Sequence, residues 1–420
     1  MTMQYACRRC LGLAAVATLS AVAPAHADDP PPTLSLALRE TFDAWAVPVG
    51  GDPGGDVLNK FQVSATLAGD RWGMPGWSAH AQIFKTDGAS LSARLGDIQT
   101  ADNIEAEPVT RLFEAWVQKS FGSGDRTLAL RGGLLDYNAD FDSTATAALF
   151  FNSSHGIGAD VARSGQNGPS IFPVSSLGFR VAWSPSKTWA FRIAAYDGVP
   201  GDPGHPRRFA AIKLRGEDGA LLAAQADYHL TDKARIEAGV WRYTVPVADR
   251  VDSALGRFDQ GAYASIEGPL PRHDKVSAWL RIGMANGHAQ PVAAYLGAGL
   301  AAESPFAARR DDKIGIAIAR ARLGEAAPDP AAAHRAETTI EATYQVKISD
   351  TFAVQPDVQY IFNPSGQTRA RDALAVGLRV VLTAGYPRKA KAVEASDPTV
   401  PPDGPQPPDQ PSPSDPPQQH

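Results

Sequence analysis

Cysteine is almost absent from this chain, and its two cysteines, Cys7 and Cys10, both lie within the first ten residues. Residues 28–420 therefore have no thiol that could form a disulfide, bind a metal or act as a nucleophile. After residue 27 no apolar run is long enough for a transmembrane helix, and the mean hydropathy is slightly negative at −0.21. The mild formal charge of −5 argues against nucleic-acid binding. A phosphate-binding loop and a cluster of metal ligands are also missing from the sequence, so we expect neither cofactor nor metal.

The two ends of the chain differ in composition from the part between them. A pair of arginines precedes an apolar run at residues 11–23, which ends in the small-residue cleavage site Ala25-His26-Ala27. We therefore predict that residues 1–27 are an export signal that is removed. Residues 387–420 are rich in Pro, Asp, Gln and Ser, and this composition predicts a disordered tail. Residues 28–386 remain as a single predicted domain.

Regular alternation of apolar and polar residues is the most informative feature that the chain does have. It runs through residues 340–346, 352–362 and 374–382 with few lapses. Side chains along a strand point alternately to two faces. Consecutive strands of about ten residues, each with one continuous apolar face, are typical of a membrane β-barrel wall. Strands of soluble sandwiches are usually shorter, about five or six residues.

The same pattern predicts an all-β fold, a transmembrane antiparallel β-barrel of sixteen strands. The predicted strands lie at 34–43, 59–69, 77–85, 110–121, 127–136, 178–184, 188–197, 219–230, 234–244, 259–267, 274–284, 293–300, 312–322, 335–347, 351–362 and 371–383. Short turns alternate with long connections, as in outer-membrane barrels whose termini are both periplasmic.

The longest connection, residues 137–177, is predicted to fold inward and narrow the channel, with a short helix within residues 144–151. Long loops of compact folds usually have a purpose, and a constriction is the obvious one for a loop in a pore. The alternative is a surface loop that shields the mouth of the barrel.

Three stretches carry a resemblance to a known family. They are residues 113–121 with the following 130–141, then Ala148–Gly156 with its Phe-Asn-Ser-Ser run, and Val354–Pro364 with a proline inside a strand. In these stretches the chain resembles the carbohydrate-selective porins (OprB family) of Gram-negative outer membranes. The resemblance implies a sixteen-stranded pore that passes sugars. Barrels of this kind usually end on an aromatic residue, and here Tyr386 takes that place with a further segment after it.

The hairpin that starts at residue 110 supplies the groups that a sugar channel needs. If Phe113, Ala115, Val117 and Phe121 face lipid, then Glu114, Trp116, Gln118 and Ser120 face the lumen, and Arg131 of the next strand lies opposite Trp116. Sugars combine hydroxyl groups with apolar ring faces, so donors and acceptors beside an aromatic ring form a plausible subsite. Alternatively, Trp116 only fills space in the wall and Glu114 only neutralises Arg131.

Further polar residues fall on the lumen face or on the long connection. Arg180 and Arg192 are predicted to oppose each other directly across their hairpin, with a slip of one residue at Ala190. Asp136, Asn138 and Asp140 start the spacing of a calcium loop, but Phe141 replaces the required glycine and Ala147 the bidentate glutamate. We therefore expect these residues to form an acidic ring at the base of the loop, or hydrogen bonds between loop and wall, and not a calcium site. The predicted pore-lining and substrate-binding residues are Glu114, Trp116, Gln118, Arg131, Asp136, Asn138, Asp140, Asn152, Arg180 and Arg192.

Other residues receive simpler assignments. Solvated wall positions are predicted for Gln225, Asp227, His229, Glu237, Glu341, Gln345, Gln355, Asp357, Gln359 and Arg379. Aromatic girdles at the membrane interfaces are predicted for Trp183, Trp189, Tyr344 and Tyr360.

Together these features predict an outer-membrane porin, not an enzyme, through which small hydrophilic solutes diffuse passively; the resemblance makes carbohydrates the first choice. One alternative is a porin for organic acids or other small anions, attracted by the four arginines Arg131, Arg180, Arg192 and Arg379. Another is a hydrolase on a barrel scaffold that uses Ser153-Ser154-His155, and a third is a soluble periplasmic β-protein. The expected partners are sugars, outer-membrane lipid and the barrel-assembly machinery, without nucleic acid; a monomer and a homotrimer both remain open.

Overall fold

The computed structural model describes residues 33–325, 335–367 and 370–387. The predicted export signal and almost all of the predicted tail lie outside these residues. Sixteen long strands form one closed antiparallel barrel, in which each strand pairs with its neighbours in the chain and the first strand pairs with the last. The predicted all-β barrel of sixteen strands is therefore confirmed. Within the described residues, no helix is long and apolar enough to cross a membrane.

The bounds of the strands follow the predicted positions closely. The barrel strands are β1 Leu34–Val49, β2 Gly54–Ala68, β3 Trp77–Gly88, β4 Val109–Ser123, β5 Arg126–Leu135, β6 Ser176–Ser184, β7 Trp189–Asp197, β8 Ala220–Thr231, β9 Ala234–Tyr243, β12 Gln260–Leu270, β13 His273–Ala285, β14 Val292–Glu303, β15 Lys313–Leu323, β16 Ala336–Ser349, β17 Phe352–Phe362 and β18 Ala373–Tyr386. Between β9 and β12, a loop forms the small two-stranded sheet of β10 Val247–Ala248 and β11 Gly256–Arg257.

The helices are all short and lie in the connections. The α-helices are α1 Leu91–Leu95, α2 Ser153–Gly156 and α3 Ala159–Ala162. Single 3-10 turns occur at Asp70–Trp72, Thr146–Leu149, Gly216–Asp218 and Pro364–Gly366. The turn at Thr146–Leu149 lies within the segment for which a short helix is predicted.

The two faces of the wall have the predicted polarity. On β18, Val376 and Leu378 are 42% and 44% exposed on the outside, whereas Arg379 is buried on the inside. Trp183 and Trp189 are likewise exposed, and both stack with Phe191 on the exterior. An apolar outer surface with aromatic residues towards its edge is what a barrel in a bilayer requires.

Strand β4 departs from the predicted alternation. Gln82 of β3 pairs with Glu114, but the next residue, Ile83, pairs with Leu112, so Phe113 is an extra residue in a β-bulge. The bulge turns Phe113 into the barrel, where it is 3% exposed and packs against Phe84. The prediction that Phe113 faces lipid is therefore wrong, because strict alternation does not hold across a bulge.

Two connections fold into the lumen and narrow it. The connection between β5 and β6, residues 136–175, is here called the constriction loop, and it crosses the barrel to reach β8, β12 and β16. Its inward fold confirms the prediction. Residues 89–108, between β3 and β4, are called the companion loop, and they also fold inward to reach β16. Sequence reasoning assigned no inward fold to this second loop.

Adjacent residues of β2 offer a direct test of the two faces. Val63 pairs with outward residues on both sides, Leu38 and Ile83, whereas Ser64 pairs with inward residues Ala37 and Gln82. In a reconstituted barrel, a nitroxide label on Val63→Cys should be relaxed mainly by oxygen dissolved in the lipid. A label on Ser64→Cys should be relaxed several-fold more by a water-soluble nickel reagent. The same accessibility at both sites would contradict the assignment of the faces.

Candidate functional site

Carboxylates on the inner wall hold the constriction loop in the lumen. Glu341 on β16 accepts hydrogen bonds from the backbone nitrogens of Phe151 and Asn152 at 2.5 and 3.0 Å. Further along the barrel wall, Glu267 on β12 accepts from the backbone nitrogens of Ala145 and Thr146 at 3.2 and 2.9 Å. Buried backbone donors need acceptors, and a carboxylate supplies two in a fixed place. The loop is thus tethered at two separate places on the wall, four strands apart.

Apolar contacts fix the loop between these tethers. Phe150 packs with Trp279 on β13 and Ala317 on β15 in one buried cluster. Gly315 of the wall leaves room for the Phe150 ring, because an added Cβ at this position would lie 2.7 Å from the ring. Phe151 belongs to a different cluster, together with Trp45 of β1 and the companion loop.

The companion loop joins the same assembly. Glu337 on β16 accepts hydrogen bonds from the backbone nitrogens of Ile98 and Gln99 at 2.8 and 3.1 Å. The two loops are also bonded to each other, since the Asn103 nitrogen donates to the Phe151 carbonyl at 2.8 Å. The inner surface of the pore is therefore made by the wall and both loops.

Asp140 at the start of the constriction loop bridges two arginines of the wall. Its carboxylate lies 3.4 Å from the Arg131 guanidinium and 3.0 Å from that of Arg180, and all three side chains are almost fully buried. Arg131 pairs in register with Gln118 on β4 and with Arg180 on β6. The predicted positions, Arg131 opposite Trp116 and Arg180 opposite Arg192, are therefore wrong.

Arg192 has a separate partner. In the β6–β7 hairpin Arg180 pairs with Ala194, and Arg192 pairs with Ala182, so the hairpin closes two residues away from the predicted register. Alternation along β7 runs through Ala190 without the predicted slip. The Arg192 guanidinium lies 2.6 Å from the Asp227 carboxylate on β8.

The predicted sugar subsite is partly assembled around Trp116. On one side His80 of β3 stacks on the indole with a centroid distance of 5.1 Å. The Arg131 guanidinium from the other neighbouring strand lies 4.1 Å from the ring centroid. The indole nitrogen donates to Glu114 at 3.3 Å, and the Glu114 side chain is still 13% exposed. The structure thus brings Glu114, Trp116, Gln118 and Arg131 together.

The loop residues predicted to line the pore divide into two groups. Asp136 and Asn138 are half-buried. Burial raises the pKa of Asp136 well above its usual range, and the neighbouring Glu114 raises it further. The Asn138 amide braces the loop by donating to the carbonyls of Asp142 and Gly156 at 2.9 and 3.0 Å. Asn152 is buried; it caps α2 through its side-chain oxygen and donates to Gln359 at 3.3 Å.

His155, the candidate base of a hydrolase, is packed in the interior. Its ring lies between Phe150 and Trp279, and its Nε2 is 3.4 Å from the Glu341 carboxylate. Burial lowers the pKa of His155 to about 3, so the imidazole is neutral near pH 7. The neighbouring Ser154 hydroxyl donates to the carbonyl of Gln99 at 3.2 Å.

Sequence reasoning missed a buried charge cluster that joins the constriction loop to the wall. The Arg281 guanidinium on β13 binds the carboxylates of Asp142, at 2.7 Å, and of Asp160 in the constriction loop. Burial raises the pKa of Asp160 to about 6, although Arg281 opposes this shift. The alternation of Leu280, Arg281 and Ile282 was the available signal, because it places a single charge inside an apolar strand. Among the described residues, no group of three or more His, Cys, Asp and Glu side chains could hold a metal.

Comparison with known proteins agrees with this architecture. Residues 56–383 match the sequence model of the family described as carbohydrate-selective porin, OprB family. The high-pH structure of Pseudomonas putida OprB is similar with a TM-score of 0.73 and 17% identity, over 84% of this chain and 94% of that chain. The outer membrane channel DcaP of Acinetobacter baumannii has a TM-score of 0.52 and 9% identity, over 84% and 97% of the two chains. At these identities the likeness shows the fold. No curated protein sequence matches significantly.

The tether at Glu341 can be tested by substitution. Glu341→Ala removes the acceptor of two buried backbone donors, each of which contributes about 1.5–3 kcal/mol when bonded to a charged group. We expect a looser constriction loop, a noisier channel and a single-channel conductance raised by roughly up to twofold. Ile340→Ala is the matched control, because Ile340 is the adjacent residue of the same strand and faces the exterior, where it is 40% exposed. Equal conductance in both variants would show that Glu341 does not position the loop.

Proposed function

The chain belongs to the carbohydrate-selective porin (OprB) family, and on that premise we propose that it forms a pore in the Gram-negative outer membrane through which small hydrophilic solutes, above all neutral sugars, diffuse passively. The apolar exterior and the predicted export signal support this location. The lumen, narrowed by two loops, supports a channel with a size limit.

The neutralised arginines of the lumen support neutral sugars as the preferred class. Each of the four arginines named for the organic-acid alternative has a carboxylate partner: Asp140 for Arg131 and Arg180, Asp227 for Arg192, and Asp43 for Arg379 at 2.7 Å. An arginine already paired with a carboxylate attracts a second anion weakly, but its remaining donors can still bind hydroxyl groups. At these four arginines the lumen thus offers hydrogen bonds with little uncompensated positive charge.

Polar groups that keep some exposed surface define the route that we propose for the solute. Glu114, Asp136 and Asn138 remain accessible, and Lys60 lies with its ammonium group 3.8 Å from the Phe172 ring centroid. Alternating acceptors and donors suit the hydroxyls of a sugar. Trp116 is covered by His80 and Arg131, so we assign it a supporting role in this route.

The geometry gives less support to the other functions. Attraction of organic acids would need arginines without carboxylate partners, but each of the four candidate arginines has a carboxylate partner. For a hydrolase, His155 is only 3% exposed and is enclosed by aromatic rings, which leaves a substrate no approach to the imidazole. We therefore propose a passive channel without catalytic activity.

Ion selectivity tests the charge balance. Asp140→Asn keeps the shape of the side chain but leaves Arg131 and Arg180 without their shared carboxylate. In planar bilayers with a salt gradient, we expect the zero-current potential to shift towards anions, with a permeability ratio changed by roughly two- to fivefold. Asp125→Asn, in an exposed turn, is the control and should leave the potential unchanged. A wild-type pore that already strongly prefers anions would instead support the organic-acid porin.

The solute class is tested by recording the wild-type channel with a panel of neutral sugars and small organic acids. We expect sugars to reduce the ion current in a concentration-dependent way, because a sugar in the constriction displaces water and ions. Block by organic acids alone, without any effect of sugars, would contradict the proposed substrate class.

A further inference from the structure

Two arginines lie next to each other on the outer face of β15. The residues that this strand turns outward are three isoleucines followed by the arginines: Ile314, Ile316, Ile318, Arg320 and Arg322. The residues between them are buried inside the barrel. Among the described strands, β15 alone has two arginines on its outer face. Arg320 and Arg322 are here called the arginine pair.

The surroundings of the arginine pair are apolar. Arg320 pairs in register with Leu296 of β14, an exposed residue of the apolar exterior. Arg322 pairs with Ala294 of β14, which in turn pairs with the exposed Met284 of β13. The arginine pair therefore adjoins the surface that contacts acyl chains.

Neither arginine has a negatively charged partner among the described residues. No described carboxylate forms an ion pair with Arg320 or Arg322. The Arg320 guanidinium donates a hydrogen bond to the Thr338 hydroxyl at 2.9 Å, and Thr338 is its direct partner in the ladder with β16. The charge is therefore held beside the wall, in the row of Arg320 itself. A threonine hydroxyl accepts a hydrogen bond but supplies no negative charge.

The position along β15 puts the arginine pair at the level of the outer leaflet. Strands alternate in direction around the barrel, so β15 ends at the same rim as β3 and β5, from which the two inward loops start. With both termini on the periplasmic side, this rim is extracellular. Arg320 lies six residues, about 20 Å along the strand, beyond Ile314. In a tilted wall with an apolar band about 25 Å tall, acyl chains meet headgroups near this height.

We propose that the arginine pair binds the phosphate of a phosphorylated glycolipid in the outer leaflet. The two residues are about 7 Å apart on one face of the strand, so both guanidinium groups can reach a single phosphate. The planar set of donors on each guanidinium matches phosphate oxygens in bidentate fashion. The three isoleucines below the pair contact acyl chains of the same lipid. This site lies outside the pore, so it goes beyond the proposed transport.

Water or a free anion accounts for the arginine pair less well than a lipid does. An arginine near a membrane surface often extends its guanidinium to water, but the bond to Thr338 keeps that of Arg320 beside the apolar wall. Free inorganic phosphate has no apolar part for the isoleucines to contact, whereas a lipid joins phosphate and acyl chains at a fixed depth. A zwitterionic headgroup carries its own cation, so two arginines attract it less than an anionic phosphate.

Lipid binding to the full barrel, measured by native mass spectrometry in detergent, tests the proposal. The wild type should bind diphosphorylated lipid A at least about tenfold more tightly than the same lipid without its phosphates. Arg320→Gln and Arg322→Gln should each weaken binding of the phosphorylated lipid by roughly three- to tenfold, and together by more than about tenfold. The double variant Arg126→Gln with Arg272→Gln removes two exposed arginines at the opposite rim; it is the matched control and should bind like the wild type.

Folding and transport are measured separately. Each variant is used only if it migrates as a folded barrel without heating. If the glutamine variants do not fold, Arg320→Lys with Arg322→Lys replaces them; it keeps both charges but loses the bidentate donors, and it should weaken binding by roughly threefold. Conductance and block by sugars should stay unchanged, so failure of this proposal is distinct from failure of the transport proposal.

Three outcomes would overturn the lipid site. The first is equal affinity of the wild type for lipid A with and without phosphates. The second is complete displacement of the lipid by inorganic phosphate alone, which would show a site for the free anion. The third is unchanged binding of the phosphorylated lipid in the double variant of Arg320 and Arg322.

Discussion

Backbone hydrogen bonding is the constraint on which the interior of this barrel depends. A strand of the wall satisfies its own backbone groups through its neighbours, but a loop inside the lumen has no ladder to join. The wall provides the missing acceptors as carboxylates, with Glu267, Glu337 and Glu341 each binding two successive backbone nitrogens of a loop. Because strands hold these side chains in place, the position of the constriction is set by the wall and not by the loop alone.

Pairing between carboxylates and arginines explains why so many charges can be buried without a large net field. A buried charge is tolerated when it is paired and hydrogen-bonded. Asp140 pairs with two arginines, which leaves one excess positive charge. Arg281 pairs with two aspartates, which leaves one excess negative charge, so the two clusters offset each other. A neutral solute therefore meets dipoles and hydrogen-bonding groups, and it has no strong electrostatic trap to escape from.

Much of the fold could be predicted from sequence because its signal is local. Alternation identified all sixteen strands, and the inward constriction loop followed from its length in a barrel. Register could not be predicted as well, because one bulge at Phe113 and a two-residue difference in the β6–β7 hairpin move whole rows of side chains. The companion loop was missed because its tether links Ile98 to Glu337, 239 positions apart, and no local pattern records such a contact.

The surroundings of the candidate site could not be predicted from sequence either, because they depend on contacts between strands. Residue types alone suggested that Trp116 offers an aromatic face to a sugar, but the neighbouring strands place His80 and Arg131 against that ring. In the proposed route, contact with the solute therefore falls to residues that keep some free surface beside the two tethered loops, Glu114 and Asp136 among them. The arrangement fits the proposed passive diffusion, since weak hydrogen bonds to exposed groups let a solute enter the constriction and also leave it.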